Sequence, residues 1–236
     1  MNPSVPTTSE EARTLTISAS HALAAAGQED MIWGHVAVRD PDGRGVWIKQ
    51  PGWSLAEVTA SRLQLVSFDG GVLEGEGAPH VECFIHLEVL RADPSRVCSV
   101  HTHSANATTF AALDTAVLPL SHAGALFAAR GLPRFRATTG LVRTPELGAA
   151  LAGTLGSAPA ALLPAHGIVA TGPTVGAAVM HAVLLDRACG DQLVAMAAGS
   201  PHAVPDEEET RRKAEECWPP HQLEAGWRYL VRRIPG

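Results

Sequence analysis

The chain of 236 residues is poor in cysteine, in aromatic residues and in charge. Its cysteines are far apart and form no Cys-x-x-Cys pair, which argues against a disulfide framework; they are Cys83, Cys98, Cys189 and Cys217. Residues 1–11 are polar, without the cationic start and apolar block of a secretory signal. We therefore expect free thiols and a cytoplasmic protein.

Long apolar runs and large basic clusters are also missing. Charged side chains interrupt the apolar stretch 184–198, so no membrane span is expected. The net charge is −6 and the basic clusters at 211–213 and 232–233 are small, which argues against a nucleic-acid partner. We interpret those clusters as solvated helix faces.

Hydrophobic residues make up 46% of the chain and charged residues 18%, which is enough apolar material for a sizeable core. The length fits one domain. We predict a single domain over residues 1–236, with a flexible tail at 1–7 and a C-terminal helical appendage at 202–236.

Hydrophobic periodicity predicts an antiparallel sheet with helices on its faces. Capping residues and breakers set the helix ends. The predicted strands lie at 32–38, 46–48, 63–68, 72–73, 98–101, 161–163 and 168–170, with a further short strand considered at 117–120. The predicted helices lie at 8–26, 55–60, 82–91, 105–113, 144–155, 175–198, from 205 onwards and at 223–233.

A metal-binding pattern lies at the end of the strand predicted at 98–101. His101 and His103 are separated by one residue, so in an extended chain their imidazoles point the same way. His166 follows another apolar run, in a turn that we expect Gly167 to permit. Neutral imidazoles suit zinc, iron, nickel or copper, whereas manganese usually needs carboxylate oxygen as well. Glu82, at a predicted helix start, is a candidate fourth ligand or general base.

The order Glu82, His101-x-His103 and Leu162-Leu-x-x-His166-Gly resembles the class II aldolase/adducin family, from about residue 10 to about residue 200. That family includes fuculose-phosphate and rhamnulose-phosphate aldolases, ribulose-phosphate 4-epimerase and some decarboxylases. The resemblance implies a three-layer αβα fold with a central, mainly antiparallel sheet.

The resemblance also implies a site and an assembly. It makes His101, His103 and His166 the ligands of one divalent ion per subunit, with zinc favoured and manganese or iron as alternatives. It makes Glu82 the acid/base or a fourth ligand. A homotetramer with sites near subunit interfaces is implied too, in which Trp227 and Tyr229 would close a neighbour's site.

The segments that hold phosphate in the sugar-phosphate aldolases are altered here. Their Gly-Asn is Gly34-His35, their Thr-Pro-Ser/Thr-Gly turn is the segment 49–52 with only Pro-Gly kept, and their Ser-Ser is His80-Val81. A phosphate dianion is held by several short donors, and valine offers none. The pattern is closer to the family's decarboxylase branch, which acts on aromatic or pyridine dicarboxylates such as 3,4-dihydroxyphthalate.

We accordingly expect a metal-dependent decarboxylase, with Glu82 or His80 as the catalytic acid. The expected substrate-binding residues are Gly34, His35, Arg39, Lys49, Gly52 and Trp53. Trp33, Trp47 and Trp53 form either a wall for an aromatic ring or part of the core, and His86 either supports the site or simply packs. The alternatives are an aldolase or epimerase, a non-catalytic adducin-like protein and an iron-dependent oxygenase.

Overall fold

The computed structural model describes residues 4–201 and 203–234. Its strands are β1 His35–Arg39, β2 Gly45–Lys49, β3 Leu63–Ser67, β4 Val72–Glu74, β5 Cys98–Thr102, β6 Ala160–Leu163 and β7 Gly167–Gly172. They form one sheet in the order β4-β3-β2-β1-β5-β7-β6, in which each neighbouring pair is antiparallel. The predicted antiparallel sheet is therefore confirmed.

Helices cover both faces of the sheet. They are α1 Ser9–Ala25, α2 Cys83–Ala92, α3 Ala105–Ala111, α4 His122–Ala128, α5 Pro145–Leu155, α6 Val175–Ala198, α7 Glu207–Cys217 and α8 Pro220–Val231. The larger core cluster packs one face of the sheet against α1, α3, α4, α6 and α8, and two smaller clusters pack the other face against α2 and α5. The predicted three-layer αβα fold is confirmed.

Alternation along β1 shows how the layers divide the side chains. Val36 and Val38 belong to the large core cluster, whereas Ala37 between them belongs to the cluster under α2. Both faces of the strand are buried because each carries helices. His35, at the start of this strand, is consequently buried as well.

Side-chain caps begin several helices where the sequence predicts them. Thr8, Thr144, Thr174 and Asp206 each accept a hydrogen bond from the backbone N–H three residues later. Pro145 occupies the first turn of α5, where its missing N–H costs nothing. These local signals do not depend on the rest of the fold.

Other local predictions are wrong. The helix predicted at 55–60 is replaced by a short 3-10 turn, Ala60–Arg62. Residues 117–120 form no strand, because the backbone around them bonds to a side chain: Gln192 accepts from the N–H of Leu118 and donates to the carbonyl of Ala116. The helix α4 was not predicted.

Residues near both ends of the described chain contact the body of the domain. Ser4 bonds to Glu224 through its N–H and hydroxyl, and its hydroxyl accepts from the N–H of Gly176 at 2.7 Å. Of the tail predicted at 1–7, residues 1–3 lie outside the described part, and Ser4 is held in place. Trp227 on α8 is buried in the larger core cluster, so it is not free to reach a neighbour's site, whereas Tyr229 is exposed. Among the described helices, none has the length and apolar character needed to cross a bilayer.

Candidate metal centre

Four separate segments bring the predicted site residues to one end of the sheet. His101 near the end of β5 pairs across the sheet with His35 on β1 and with Val169 on β7. The turn between β6 and β7 carries His166 to the same end. Glu82 is the residue before α2. The sheet order, with β5 between β1 and β7, is what brings these segments together.

The three predicted ligand residues converge. Nε2 of His101 lies 3.1 Å from Nε2 of His103, and one ring nitrogen from each of His101, His103 and His166 lies within 4.8 Å of the others. Nε2 of His166 is buried and has no hydrogen-bond partner in the described part of the chain. A buried polar atom without a partner is costly unless something binds it.

Partners outside the triad fix the orientation of two of these rings. Nδ1 of His101 donates to the carbonyl of Ile168 at 2.8 Å, so its Nε2 keeps the lone pair. Nδ1 of His103 lies 3.0 Å from a carboxylate oxygen of Asp30. Burial and the neighbouring histidines lower the pKa of His101 well below its ordinary value, which keeps the ring neutral. The donor set and its supporting hydrogen bonds fit a divalent metal ion such as zinc.

Glu82 lies beside the triad. Its Oε1 is 3.5 Å from Nε2 of His166, an electrostatic contact rather than a hydrogen bond, and it accepts the N–H of Val142 at 2.8 Å. Burial opposes ionisation of Glu82, but His166 and the N–H of Val142 outweigh it and lower the pKa of the carboxyl. Glu82 is thus placed to bind a cation or to accept a proton.

The turn that carries His166 differs from the expected one. Gly167 is not in the left-handed region; Ala165 is, with φ of 56°. Gly167 is needed for a different reason, because a Cβ there would lie 2.4 Å from the carbonyl oxygen of Thr102 and 2.8 Å from the ring of His103. The glycine allows β7 to approach the His-x-His segment closely.

A pocket of about 480 Å³ opens over the triad. Its wall combines ligand residues, apolar side chains and two turns, namely Ile32, Trp33, Pro51, Gly52, His80, Val81, Glu82, His103, Thr139, Gly140, Leu141, Ala165 and His166. The segment 139–141, Thr-Gly-Leu, was not predicted. Asp30 was missed too, and no pattern in the sequence connects it with His103.

The three candidate tryptophans have three different environments. Trp33 lines the pocket and is 46% exposed. Trp47 is buried in the larger core cluster, and its indole N–H donates to Ser9. Trp53 lies under the guanidinium of Arg62 and is not among the residues of the pocket wall. The predicted aromatic wall is therefore reduced to Trp33, and the prediction of Trp53 as a wall residue is not supported.

The predicted substrate-binding cations do not reach the pocket wall. Arg39, at the opposite end of β1 from His35, donates to the carbonyls of Leu90, Asp93 and Arg96 at the end of α2. The structure therefore places Arg39 away from the pocket wall, and its role in substrate binding stays a prediction. Lys49 is fully buried, and its ammonium donates to the carbonyls of Ile32 and Trp53 at 2.8 and 2.7 Å.

The remaining predicted residues lie close to the centre. Gly52 and His80 line the pocket. Gly34, with φ of +75°, precedes His35 and packs against the backbone of His101. The ring of His35 lies 4.0 Å from that of His80 and 5.0 Å from that of His101, measured between centroids. Burial and the charges of Lys49 and His103 lower the pKa of His80 to about 4, although the charge of Glu82 opposes them.

The fold and the triad define a class II aldolase-like protein. The family model described as the class II aldolase and adducin N-terminal domain matches residues 15–193, and the chain belongs to this family. A solved structure, L-fuculose 1-phosphate aldolase from Glaciozyma antarctica PI12, has a TM-score of 0.85 over 99% of this chain and 93% of that chain. At 23% identity this likeness shows the fold alone.

Two relatives show which activities occur near this sequence. The 3,4-dihydroxyphthalate decarboxylase of Terrabacter sp. (strain DBF63) is 30% identical over 235 residues, covering 94% of this chain and 96% of the relative. The 4-hydroxy-3-prenylphenylpyruvate oxygenase/4-hydroxy-3-prenylbenzoate synthase of Streptomyces roseochromogenus subsp. oscitans is 30% identical over 182 residues, covering 76% of this chain and 65% of the relative.

Proposed function

We propose that this chain is a divalent-metal-dependent carbon–carbon lyase that decarboxylates a hydroxylated aromatic carboxylate of the 3,4-dihydroxyphthalate type. The observation that carries the proposal is the composition of the pocket over the triad. Its outer wall is apolar, built from Ile32, Trp33, Val81 and Leu141. A flat ring fits such a wall, with its polar edge towards the histidines.

The same pocket is poorly suited to a sugar phosphate. Among the described residues, its wall includes no Arg or Lys, and Thr139 supplies its one hydroxyl side chain. Val81 is half-exposed in the pocket, where the aldolases of the family have a hydroxyl donor. A dianion in this pocket would lack the short donors that hold phosphate. This composition favours decarboxylation over aldol cleavage or epimerisation.

His101, His103 and His166 would hold the metal ion, with Glu82 beside it. The ion would supply positive charge to stabilise the negative oxygen that forms when a carbon–carbon bond breaks. Zinc is our choice for this donor set, with manganese or iron as alternatives.

The carboxylate of Glu82 is placed to accept the proton of a substrate ring hydroxyl. When carbon dioxide leaves, Glu82 returns this proton to the ring carbon, and the ring oxygen then takes one proton from solvent. The net reaction consumes one proton per carbon dioxide. His80 has a different role, because its Nδ1 accepts the N–H of Glu82 at 3.3 Å and its Nε2 therefore carries the hydrogen. His80 orients the substrate carboxylate as a neutral donor.

The assembly proposed for this function is a homotetramer in the cytoplasm. Four exposed apolar side chains line the pocket, namely Ile32, Trp33, Val81 and Leu141, and the exposed Met31 directly precedes Ile32. A neighbouring subunit over these side chains would close the pocket from solvent. The cysteines are free, which suits a reducing compartment.

An oxygenase acting on a hydroxylated aromatic acid is the second candidate. The Streptomyces relative whose name includes an oxygenase matches 76% of this chain and supports this second candidate. Three histidines with open coordination positions also suit iron. Dioxygen consumption with substrate separates the two activities, since decarboxylation as written uses none.

The test is a paired assay on protein whose metal content has been measured. The protein is incubated with 3,4-dihydroxyphthalate and related ortho-hydroxy aromatic acids, and separately with fuculose 1-phosphate and ribulose 5-phosphate. We expect carbon dioxide from the aromatic acids without oxygen uptake, lost in His101→Ala and retained in the exposed control His221→Ala. Turnover of the sugar phosphates alone, or a protein without metal, would overturn the proposal.

A further inference from the structure

Behind the metal centre, three buried side chains form a hydrogen-bonded row that the proposed function does not use. Nδ1 of His35 lies 2.6 Å from Nε2 of His86, and Nδ1 of His86 lies 2.9 Å from the hydroxyl oxygen of Ser99. His35 is 1% exposed and the other two are fully buried. Within residues 4–201 and 203–234, the Ser99 hydroxyl has no other hydrogen-bond partner.

The hydrogens along this row have two possible arrangements. In the first, Ser99 donates to Nδ1 of His86, and Nε2 of His86 donates to Nδ1 of His35. In the second, both histidines donate in the opposite direction, and the hydroxyl hydrogen of Ser99 has no acceptor. A buried donor without an acceptor is costly, so the first arrangement is favoured. It places the one ring hydrogen of neutral His35 on Nε2.

The ring of His35 borders the centre. A ring nitrogen of His35 lies within 4.8 Å of a Glu82 carboxylate oxygen and of a His101 ring nitrogen. Because Nδ1 is engaged with His86, Nε2 is the nitrogen free to interact there. A ring nitrogen that carries hydrogen cannot bind a metal, so this arrangement also separates His35 from the ligand set of His101, His103 and His166.

We propose that Ser99 and His86 are positioning residues that hold His35 with its Nε2–H directed into the site, where it donates to the substrate oxygen that becomes negative as carbon dioxide leaves. The proposal rests on the proposed function and assigns His35 a catalytic role in it. A donor fixed by buried partners needs no reorientation when the charge develops, which is the condition for effective stabilisation. No bond to His35 is made or broken.

The first test reads the hydrogen position directly. Long-range ¹H–¹⁵N NMR on the zinc-loaded full chain, labelled with ¹⁵N-histidine, distinguishes the two neutral tautomers of each ring. Signals of His35 are assigned by comparison with His35→Asn. We expect the hydrogen of His35 on Nε2 and that of His86 also on Nε2. A His35 ring protonated on Nδ1 would overturn the proposal.

The second test uses paired variants. His35→Ala should keep one zinc per chain with wild-type affinity, while kcat falls roughly 100-fold. His35→Asn, which retains an N–H, should recover part of the lost kcat. Ser99→Ala should lower kcat with little change in KM, and Ser99→Thr, which retains the hydroxyl, should restore it. Loss of zinc in His35→Ala would instead make His35 a ligand and overturn the assignment.

The two proposals fail in different ways. If the wild type releases no carbon dioxide from any aromatic acid, the proposed function is wrong. The N–H of His35 then has no negative substrate oxygen to which it could donate. The tautomer measurement and the zinc content do not depend on turnover. If turnover is present and His35 carries its hydrogen on Nδ1, only the inference about the row is wrong.

Discussion

A carboxylate oxygen of Asp30 lies 3.0 Å from Nδ1 of His103. Asp30 fixes the tautomer in which Nε2 of His103 is free to bind a metal. Asp30→Ala should weaken metal affinity roughly 10–100-fold. Asp30→Asn, whose side-chain oxygen can still accept, should lose less. Competition with a chelator measures both. Equal affinities in wild type and Asp30→Ala would contradict this role.

Nε2 of His166 is buried and has no hydrogen-bond partner in the described part of the chain. His166→Ala should abolish binding of one metal ion per chain. It should also remove the metal-dependent increase in melting temperature, because a ligand that binds the folded state alone stabilises it by mass action. His221→Ala, at an exposed position on α8, is the control. A variant that still gained stability on adding zinc would exclude His166 from the centre.

Trp33 and Trp47 should respond in opposite ways to replacement by alanine. Trp47 is 4% exposed and packed in the core, so Trp47→Ala should lower the free energy of unfolding by about 3–5 kcal/mol. Trp33 is 46% exposed in the pocket wall, so Trp33→Ala should change stability by less than about 1 kcal/mol but raise KM for an aromatic acid. Urea unfolding and steady-state kinetics test the pair. An unchanged KM in Trp33→Ala would argue against a stacked ring.

Arg39 should matter for stability and not for the substrate. Its guanidinium donates to three backbone carbonyls at the end of α2, so Arg39→Met should lower the free energy of unfolding by about 1–3 kcal/mol. KM should not change. Arg136→Met removes an exposed pair with Asp114 and should have almost no effect, which makes it the control. A higher KM in Arg39→Met alone would restore Arg39 as a substrate-binding residue.

His181 should make the fold sensitive to acid. Its Nδ1 donates to the carbonyl of Thr171, and burial lowers its pKa to about 4. Below about pH 6.5 the unfolded chain takes up a proton that the folded chain does not, so stability is retained above 6.5 and lost as pH falls towards 4. Between pH 6.5 and 4, one such histidine lowers the free energy of unfolding by up to about 1.4 kcal/mol for each pH unit of acidification.

His181→Gln tests this contribution, since glutamine still offers a donor to Thr171. Urea unfolding of metal-free protein at several pH values between 7.5 and 5 should show a shallower loss of stability in the variant. The stability of both proteins should still fall partly with pH, because the pKa values of the buried histidines His35, His80 and His86 are also lowered. Identical slopes would show that His181 does not contribute.

The sequence predicts the parts of the fold that depend on local chemistry. The helices predicted from 144 and from 175 start as expected, because the hydroxyl of Thr144 or Thr174 and an N–H three residues later need no other partner. His101 and His103 share a direction because strand geometry fixes it. The family pattern supplies His166 and Glu82. These four residues meet in the structure.

What the sequence leaves open is decided by which strands are neighbours. Arg39 lies four residues from His35 along β1, and at about 3.3 Å per residue this places it roughly 13 Å away. The contact of His86 with Ser99 requires α2 to lie over β5. Asp30 reaches His103 only because the loop before β1 folds over the end of β5. No residue spacing in a single sequence predicts such contacts between distant segments.

The strand order also determines when the centre can form during folding. Strands β1 to β4 pair with their neighbours along the chain, so this meander needs only short loop closures. The centre instead requires β5 beside β1 and β7 beside β5, pairings between distant segments that close slowly. We therefore expect a newly made chain to form its meander before the proposed metal site, so that an ion bound there would stabilise a late stage of folding instead of nucleating an early one.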